Sequence, residues 1–256
     1  MQITTELIKE LRDATGVSVM QCKRALEEAE GNMDKALAIL KKNSAGIAAK
    51  KADRVAADGA VMVKTSGNKT LLIALHCETD FVSKNEDFTN LLSALADKAL
   101  AEGVEKMKEA AKDMIDPIIQ KTGENIQLGD AYTIEGATVG NYVHNGKMAV
   151  VVSLEGGTAD LAKDVAMHIA AMKPEYITAD EIDANAKAMI TEVFEKEVAT
   201  IDKPEDIKKK MLEGKISTYF KEKTLLDQPF IKGDETVGQL LEKNKAKIKD
   251  VKRYSI

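Results

Sequence analysis

Two stretches of this chain share one pattern, in which two β-rich runs surround a glycine turn and lead into a helix. The first stretch is VMVKTSGNKTLLIALH, with predicted strands at 60–65 and 70–77, and the second is GNYVHNGKMAVVVSL. A short glycine turn between β-rich runs indicates an antiparallel hairpin, and the Asn-Gly of the second stretch is a strong signal for one. The repeated pattern predicts an α+β fold whose core consists of two related subdomains with antiparallel strands.

The start of the chain predicts a separate module of three helices. Apolar residues at helical spacing indicate three short helices within residues 3–42. Gly16 ends the first helix, and Ser18 and Gln21 have the spacing of a capping box at the start of the second. A bundle of this kind, similar to a ubiquitin-associated module, is a common docking element.

A long segment near the C-terminus predicts an antiparallel pair of helices. Ile182, Ala186, Met189 and Val193 follow the 4-3-4 spacing of a coiled-coil seam. Asp202 is the predicted cap of the second helix, with a proline two residues later in its first turn. The pair is predicted to protrude from the core as a helical hairpin.

These patterns divide the chain into five predicted segments. The segment after the first module is small, charged and poor in large apolar side chains, as in a linker. The predicted segments are a docking module at 1–43, a linker at 44–58, a first core subdomain at 59–136, a second core subdomain at 137–178 with 223–256, and the hairpin at 179–222.

Composition excludes several classes of protein. The 256 residues carry a net charge of -5, whereas nucleic-acid binders have a basic excess that neutralises phosphates. The locally basic stretches 41–54 and 243–253 are more typical of solvated surfaces than of phosphate-binding sites. Two distant cysteines make no disulfide framework, and no run of residues predicts a signal peptide or a membrane helix. We therefore expect a cytoplasmic protein that contacts neither nucleic acid nor membrane.

The sequence offers no convincing catalytic or cofactor-binding set. Gly214-Lys215 resembles the end of a phosphate loop, but the glycine required five residues earlier is Lys209. A metal at His76, Cys77 and their neighbours is disfavoured, because alternate residues of a strand face opposite ways. We expect no enzyme activity, no cofactor and no bound metal.

One turn stands out as a candidate binding site. After the apolar strand at 70–77 the chain runs through Thr79, Asp80, Phe81 and Val82 into the next helix. Phe81 has two interpretations: it can fold back to cap the core, or it can project as a rigid apolar anchor for a partner. Spacing alone favours the first interpretation.

Several motifs in order along the chain resemble one family. They are TGVSVMQCKRAL at 15–26, AADG at 56–59, CETDFV at 77–82, GENI at 123–126, MHIAA at 167–171, QPF at 228–230 and TVGQLL at 236–241. Each motif alone is weak, but their order makes the likeness specific. On these motifs the chain resembles bacterial elongation factor Ts along nearly its whole length.

The resemblance implies a function and reverses the interpretation of Phe81. It implies a guanine-nucleotide exchange factor that promotes GDP release from the GTPase elongation factor Tu during translation elongation. The Thr79–Val82 turn would enter near the nucleotide site, with Phe81 as a wedge beside Asp80, and dislodge Mg²⁺. Met20, Lys23 and His144 match further family positions that contact the GTPase, although Met20 could also be a core residue and His144 an ordinary turn residue.

Two other classes of protein stay open on the residues themselves. A docking adaptor without exchange activity would share the helical module but gives no reason for the 79–82 turn. An enzyme of unrecognised type would lack any catalytic set visible in the sequence. A nucleotide-release assay separates the adaptor from the exchange factor, and a broad substrate screen would test for the enzyme.

Overall fold

The computed structural model describes residues 3–256 and combines helices with antiparallel strands, so the predicted α+β class is confirmed. The helices of this part of the chain are α1 Thr5–Thr15, α2 Val19–Glu28, α3 Met33–Ala49, α4 Asp80–Ser83, α5 Glu86–Glu102, α6 Val104–Thr122, α7 Ala159–Met172, α8 Ala184–Ala199, α9 Glu205–Lys223 and α10 Val237–Lys243. The strands are β1 Asp58–Ser66, β2 Lys69–Cys77, β3 Gln127–Glu135, β4 Thr138–His144, β5 Met148–Glu155 and β6 Lys247–Ser255.

Contacts between Cα atoms divide the chain into two compact units. Unit 1 extends to Glu135 and also contains Val143–Ala149 and Lys252–Ile256. Unit 2 contains Gly136–Tyr142 and Val150–Val251. The five predicted domain boundaries stay predictions.

Three capped helices form the start of unit 1. Ser18 and Asn32 cap α2 and α3, because their side-chain oxygens accept bonds from Gln21 N and Lys35 N at 3.4 and 2.9 Å. The first buried cluster of the chain lies among these helices and consists of Leu11, Val17, Cys22, Ala25, Leu26, Ala29, Ala36 and Leu40. Since α3 continues to Ala49, the first part of the predicted linker is helical.

The first sheet has the strand order β1-β2-β3 and is antiparallel throughout. β1 and β2 form the predicted hairpin, with Ser66 opposite Lys69 across the glycine turn. The central strand β2 is buried from Thr70 to Leu75 because it has neighbours on both edges. Its apolar side chains pack with those of α5 and α6 in one cluster, which includes Leu71, Ile73, Leu75, Phe88, Leu92, Leu95, Met107 and Ile115.

The second sheet has the same kind of order, β4-β5-β6, with a hairpin first and a third strand beside the second. Asn145 and Gly146 form the turn of this hairpin with φ of 51° and 67°. Positive φ at both central residues is the conformation that Asn-Gly favours between two strands. Both sheets therefore follow the repeated pattern read from the sequence, and each is followed by a helix that begins soon after its central strand.

The predicted helical pair exists, but its seam was predicted wrongly. Phe194 and Tyr219 have ring centroids 5.9 Å apart, and Glu197 pairs with Lys215 at 2.6 Å, so α8 and α9 run antiparallel. Met189 and Val193 of the predicted seam are 69% and 58% exposed. Each residue turns an α-helix by about 100°, so a seam that uses Phe194 instead of Val193 leaves Met189 and Val193 facing solvent. The other two residues of the predicted stripe do not follow them, since Ile182 is buried before α8 begins and Ala186 is half-buried.

The predicted cap of α9 is also wrong. Pro204 occupies the N-cap position and no side chain caps the helix, so Asp202 lies outside it. α8 begins only at Ala184, where Asp183 accepts a bond from Ala186 N at 2.8 Å. A short 3-10 turn, Ala179–Glu181, precedes α8.

Candidate functional site

Phe81 projects from the short helix α4, which directly follows the central strand of the first sheet. Its side chain is 84% exposed, so it does not cap the core. The next residue, Val82, packs partly buried against the core cluster, and Ser83 is buried. Phe81 thus points towards solvent and Val82 towards the core, and we call the segment Thr79–Val82 the tip.

Glu124 holds the start of the tip. Its Oε2 accepts bonds from the backbone N–H groups of Glu78 and Thr79 at 3.1 and 3.0 Å, and its Oε1 accepts a bond from Thr79 Oγ1 at 2.6 Å. Thr79 is the N-cap residue of α4, but its side chain makes no capping bond. Its hydroxyl is engaged by Glu124 instead.

The residue before the tip is fixed by a second set of bonds. Glu78 Oε1 accepts from Asn125 N at 2.7 Å and lies 3.4 Å from the guanidinium of Arg54. The bond from Asn125 N, followed by the charge of Arg54, holds the pKa of Glu78 below its usual value. Asn125 Nδ2 also donates to the carbonyl of Arg54 at 2.7 Å, so this segment is tied to the base of the tip.

Cys77 contributes a buried thiol beneath the tip. Burial, together with the nearby carboxylates of Asp58 and Glu124, raises its pKa to about 12. The thiol is therefore protonated at neutral pH, and Sγ donates to the carbonyl of Thr79 at 3.2 Å. Ser83 N donates to the same carbonyl at 3.2 Å. Both polar groups of the Thr79 backbone are consequently bonded.

Lys147 contacts the other end of α4. Its Nζ donates to Ser83 Oγ at 3.0 Å, to Asp58 Oδ1 at 2.6 Å and to the carbonyl of Gly59 at 2.6 Å. Partial burial acts to raise the pKa of Asp58, but bonds from Lys147 and Ser83 outweigh it and lower that pKa. Lys147 follows the Asn-Gly turn, and the carbonyl of Gly146 accepts a bond from Val61 N at 2.8 Å.

The other predicted contact residues, Met20, Lys23 and His144, occupy two other places in unit 1. His144 is exposed at the end of β4, next to the turn that carries Lys147, so the structure brings it to the tip's supporting elements. Met20 is 58% exposed on α2 and is not a core residue. Lys23 lies one turn further on and is 3.8 Å from Glu27. Partner contact by all three stays a prediction.

Asp80 is the remaining tip residue, and it is paired within α4 and its cap. Its Oδ2 accepts a bond from Lys84 Nζ at 2.7 Å. This bond raises the pKa of Lys84. Both side chains are at least half exposed, so the pair adds little stability.

His76 and His168 have structural roles and do not belong to the candidate site. His76 Nε2 is 2.7 Å from Tyr254 OH, and His168 is fully buried in unit 2, as expected for a core histidine. Within residues 3–256 no group of three or more His, Cys, Asp and Glu side chains is placed to hold a metal. None of the helices described here combines the length and the apolar character needed to cross a bilayer.

Sequence reasoning missed Glu124 and Lys147 as site residues. Glu124 lies in a motif that supports the family resemblance, but nothing near it in sequence links it to Thr79. Lys147 follows a turn that was recognised only as a hairpin signal. Glu124 bonds to Thr79 and Lys147 to Ser83 across 45 and 64 residues of sequence, so only the fold brings them together.

Comparison with known proteins places these features in a family. The protein-family model described as "Elongation factor TS" matches residues 78–256. A protein of Hahella chejuensis named "Elongation factor Ts" is 39% identical over 99% of this chain and 92% of its own length. Proteins of that name from Psychrobacter sp. and Pseudomonas fluorescens are 36% and 39% identical over 100% and 96% of this chain, and over 91% and 88% of their own lengths.

Proposed function

The chain belongs to the elongation factor Ts family and is a translation elongation factor, and we propose that it promotes the release of GDP from elongation factor Tu. The observation that carries this proposal is the exposed Phe81 on a tip whose first backbone N–H is bonded to Glu124 and whose following residue, Ser83, has its hydroxyl bonded to Lys147. A large apolar side chain in this position lacks a role within unit 1 but fits insertion into a pocket of a partner.

In the proposed mechanism the tip enters the GTPase near its nucleotide site. Phe81 acts as a wedge and Asp80 lies beside it, and together they displace the elements that order Mg²⁺ and the phosphate loop. Losing the metal weakens the hold on GDP, because Mg²⁺ neutralises phosphate charge. The protein performs no bond-breaking chemistry of its own and needs no cofactor.

The energies are sufficient for such a displacement. Burying a Phe side chain stabilises a complex by roughly 1.5–3 kcal/mol, and each step of about 1.4 kcal/mol changes an affinity tenfold. Coupling between two ligands is reciprocal. The nucleotide therefore weakens binding of the factor to the GTPase by the same ratio with which the factor weakens binding of the nucleotide. A second nucleotide can for this reason expel the factor.

The other predicted contacts would hold the complex while the nucleotide leaves. Met20 and Lys23 on α2 present an exposed surface to the GTPase domain, and His144 beside the Asn-Gly turn meets another domain of the partner. Val19, beside Met20, is also 48% exposed and adds apolar area to the α2 surface. Separate contacts of this kind allow the tip to be weakened without loss of the whole complex.

A release assay tests the proposal. Bacterial elongation factor Tu is loaded with a fluorescent GDP analogue, chased with unlabelled GDP and mixed with increasing amounts of this protein. We expect the release rate to rise with the factor and reach a plateau, and we expect excess GDP to dissolve the complex. An unchanged release rate despite formation of a complex would favour the docking adaptor, and absence of both would reject the proposed partner.

A further inference from the structure

We propose that Glu124 and Lys147 are positioning residues that clamp the tip from two sides and so set the direction in which Phe81 projects. This role rests on the proposed function, because the direction of Phe81 matters only if the side chain enters a partner. Neither residue belongs to α4. Glu124 follows α6, and Lys147 follows the turn between β4 and β5.

Glu124 determines where the tip begins. One carboxylate accepts three bonds from the Glu78–Thr79 segment, two from backbone N–H groups and one from a hydroxyl. Bonds to an ionised acceptor are about twice as strong as neutral ones. Glu124 is itself placed by Gly123, which ends α6 with a φ of 78° that favours glycine. The position of the end of α6 therefore determines where the Glu124 carboxylate holds the start of the tip.

Lys147 holds the end of α4, at the residue that follows the tip. An ammonium group has three donors, and Lys147 uses them on Ser83 Oγ, Asp58 Oδ1 and the carbonyl of Gly59. Its backbone carbonyl also accepts a bond from Ile256 N at 2.8 Å. The end of α4 is therefore tied to β1 and to the Asn-Gly turn, next to the predicted contact residue His144.

The tip needs such support because it cannot hold its own conformation. α4 has four residues, and a helix of one turn is unstable in isolation. The ring of Phe81 is mostly in solvent, so packing within the protein does little to fix it. Its direction follows from the backbone of α4, whose two ends are fixed by Glu124 and Lys147. A misplacement of about 1 Å at a reacting or inserting group can reduce a rate by up to about a hundredfold.

The first test uses the free protein and needs no partner. Hydrogen exchange of the backbone amides is compared between the wild type, Glu124→Ala and Glu124→Gln. We expect the Thr79 and Glu78 amides to exchange at least about tenfold faster in Glu124→Ala, since both lose their acceptor. Glu124→Gln keeps an acceptor oxygen but loses the charge, so its amides should exchange at rates between those of the wild type and Glu124→Ala. Unchanged protection in Glu124→Ala would overturn the clamp.

The second test asks whether Glu124 acts through Phe81. In the GDP-release assay we expect Glu124→Ala to lower the plateau rate about threefold to tenfold, with a change below about twofold in the half-saturating concentration. In a Phe81→Ala background the same change should cost less than about twofold, because residues acting as a unit are not additive. An equal loss in both backgrounds would overturn the positioning role, and Glu124→Gln should restore most of the rate.

The variant Lys147→Met tests the other side of the clamp. It should reproduce the lowered plateau and its dependence on Phe81. Because the end of α4 loses the bond to Ser83 Oγ, the Ser83 amide, which donates to the Thr79 carbonyl, should exchange faster, whereas that of Glu78 should not. A loss of rate that is independent of Phe81 would show that Lys147 contacts the partner directly, against the proposal. Thr158→Val is the control for general destabilisation, since it removes a helix cap in unit 2; we expect no change at the tip amides or in the plateau rate.

Failure of the clamp differs from failure of the proposed function. If the wild type speeds GDP release but Glu124→Ala leaves the amides and the plateau unchanged, the clamp is rejected and the function stands. If Glu124→Ala frees the amides but the wild type does not speed release, the clamp is supported as a structural device and the exchange function is rejected.

Discussion

Thr79 and Thr158 occupy the same place in the two halves of the repeated pattern, but their side chains have different partners. Each is the N-cap of the first helix after a central strand, with φ and ψ of -133° and 158° for Thr79 and -129° and 160° for Thr158. Thr158 Oγ1 accepts a bond from Leu161 N at 3.2 Å, the ordinary capping bond. Thr79 Oγ1 donates instead to Glu124 at 2.6 Å.

The chain around these two residues differs accordingly. After β5, Gly156 and Gly157 have φ of 78° and 68°, and a Cβ at Gly156 would lie 2.2 Å from the carbonyl oxygen of Lys245. This connection leaves no room for a side chain at Gly156, and no large side chain projects from it. After β2 the glycines are absent and a one-turn helix carries Phe81 outwards. The junction whose threonine lacks the capping bond is therefore the one from which a large side chain projects.

The largest expected effect separates a buried phenylalanine from the exposed one. Phe88 on α5 is fully buried, so Phe88→Ala should reduce the free energy of unfolding by about 3–5 kcal/mol. Phe81→Ala removes almost no buried contact and should reduce it by less than about 1 kcal/mol. Its GDP-release rate should nevertheless fall about tenfold or more, because the lost burial occurs only in the complex.

Melting temperature and GDP release measured on both variants check this pair. Release per folded molecule should be nearly normal for Phe88→Ala, which serves as the matched control. A Phe81→Ala protein that melts early yet exchanges normally when folded would assign the wedge to the wrong residue. Retained binding to the nucleotide-free GTPase would show that α2 and the Asn-Gly turn hold the complex separately.

Local signals predicted most of the fold. The three helices at the start of the chain, the hairpin of β1 and β2 and the Asn-Gly turn before β5 were predicted and are observed. These elements are defined by turns, caps and apolar periodicity within a few residues. The same signals placed the candidate tip, because an apolar strand followed by Thr-Asp-Phe is a local feature.

Features that depend on a partner element could not be predicted in this way. The face of α8 that meets α9 is decided by aromatic packing of Phe194 with Tyr219, whereas the sequence also offered the competing stripe of Met189 and Val193. The support of the tip depends on Glu124 and Lys147, whose bonds appear only when the chain is folded. Long-range polar contacts leave no periodic trace in a sequence.

A pair of matched hydroxyl deletions sharpens the comparison of the two threonines. Thr158→Val removes a capping bond and should reduce the free energy of unfolding by about 1 kcal/mol, with no change in GDP release. Thr79→Val removes the bond to Glu124 and should reduce the free energy of unfolding by at least as much, but it should also lower the plateau release rate about twofold to threefold. Chemical denaturation and the release assay measure both variants, and a reversed pattern would show that the two junctions have the same role.

The smallest expected effect comes from a buried ring on α7. His168 is fully buried in unit 2, where Ile231 N donates to Nδ1 at 3.3 Å and Nε2 lies 2.9 Å from Gln228 Oε1. With Nδ1 as an acceptor, the neutral ring carries its proton on Nε2 and donates it to Gln228. Phe88, the buried ring of the first core, has no group that can bind a proton, so the stabilities of the two cores should respond differently to acid.

Burial lowers the pKa of His168 below 6.5, although the bond to Gln228 acts in the opposite direction. The unfolded chain therefore takes up a proton at a pH where the folded chain does not. The stability that neutral His168 contributes is present in full above pH 6.5 and is lost as pH falls through the lowered folded pKa. Between pH 7.5 and 6.0 the loss from this group is at most about 0.8 kcal/mol by that linkage. Urea unfolding of the wild type and His168→Gln across this range measures the difference, and a wild type that gains stability relative to the variant on acidification would contradict the burial of a neutral ring.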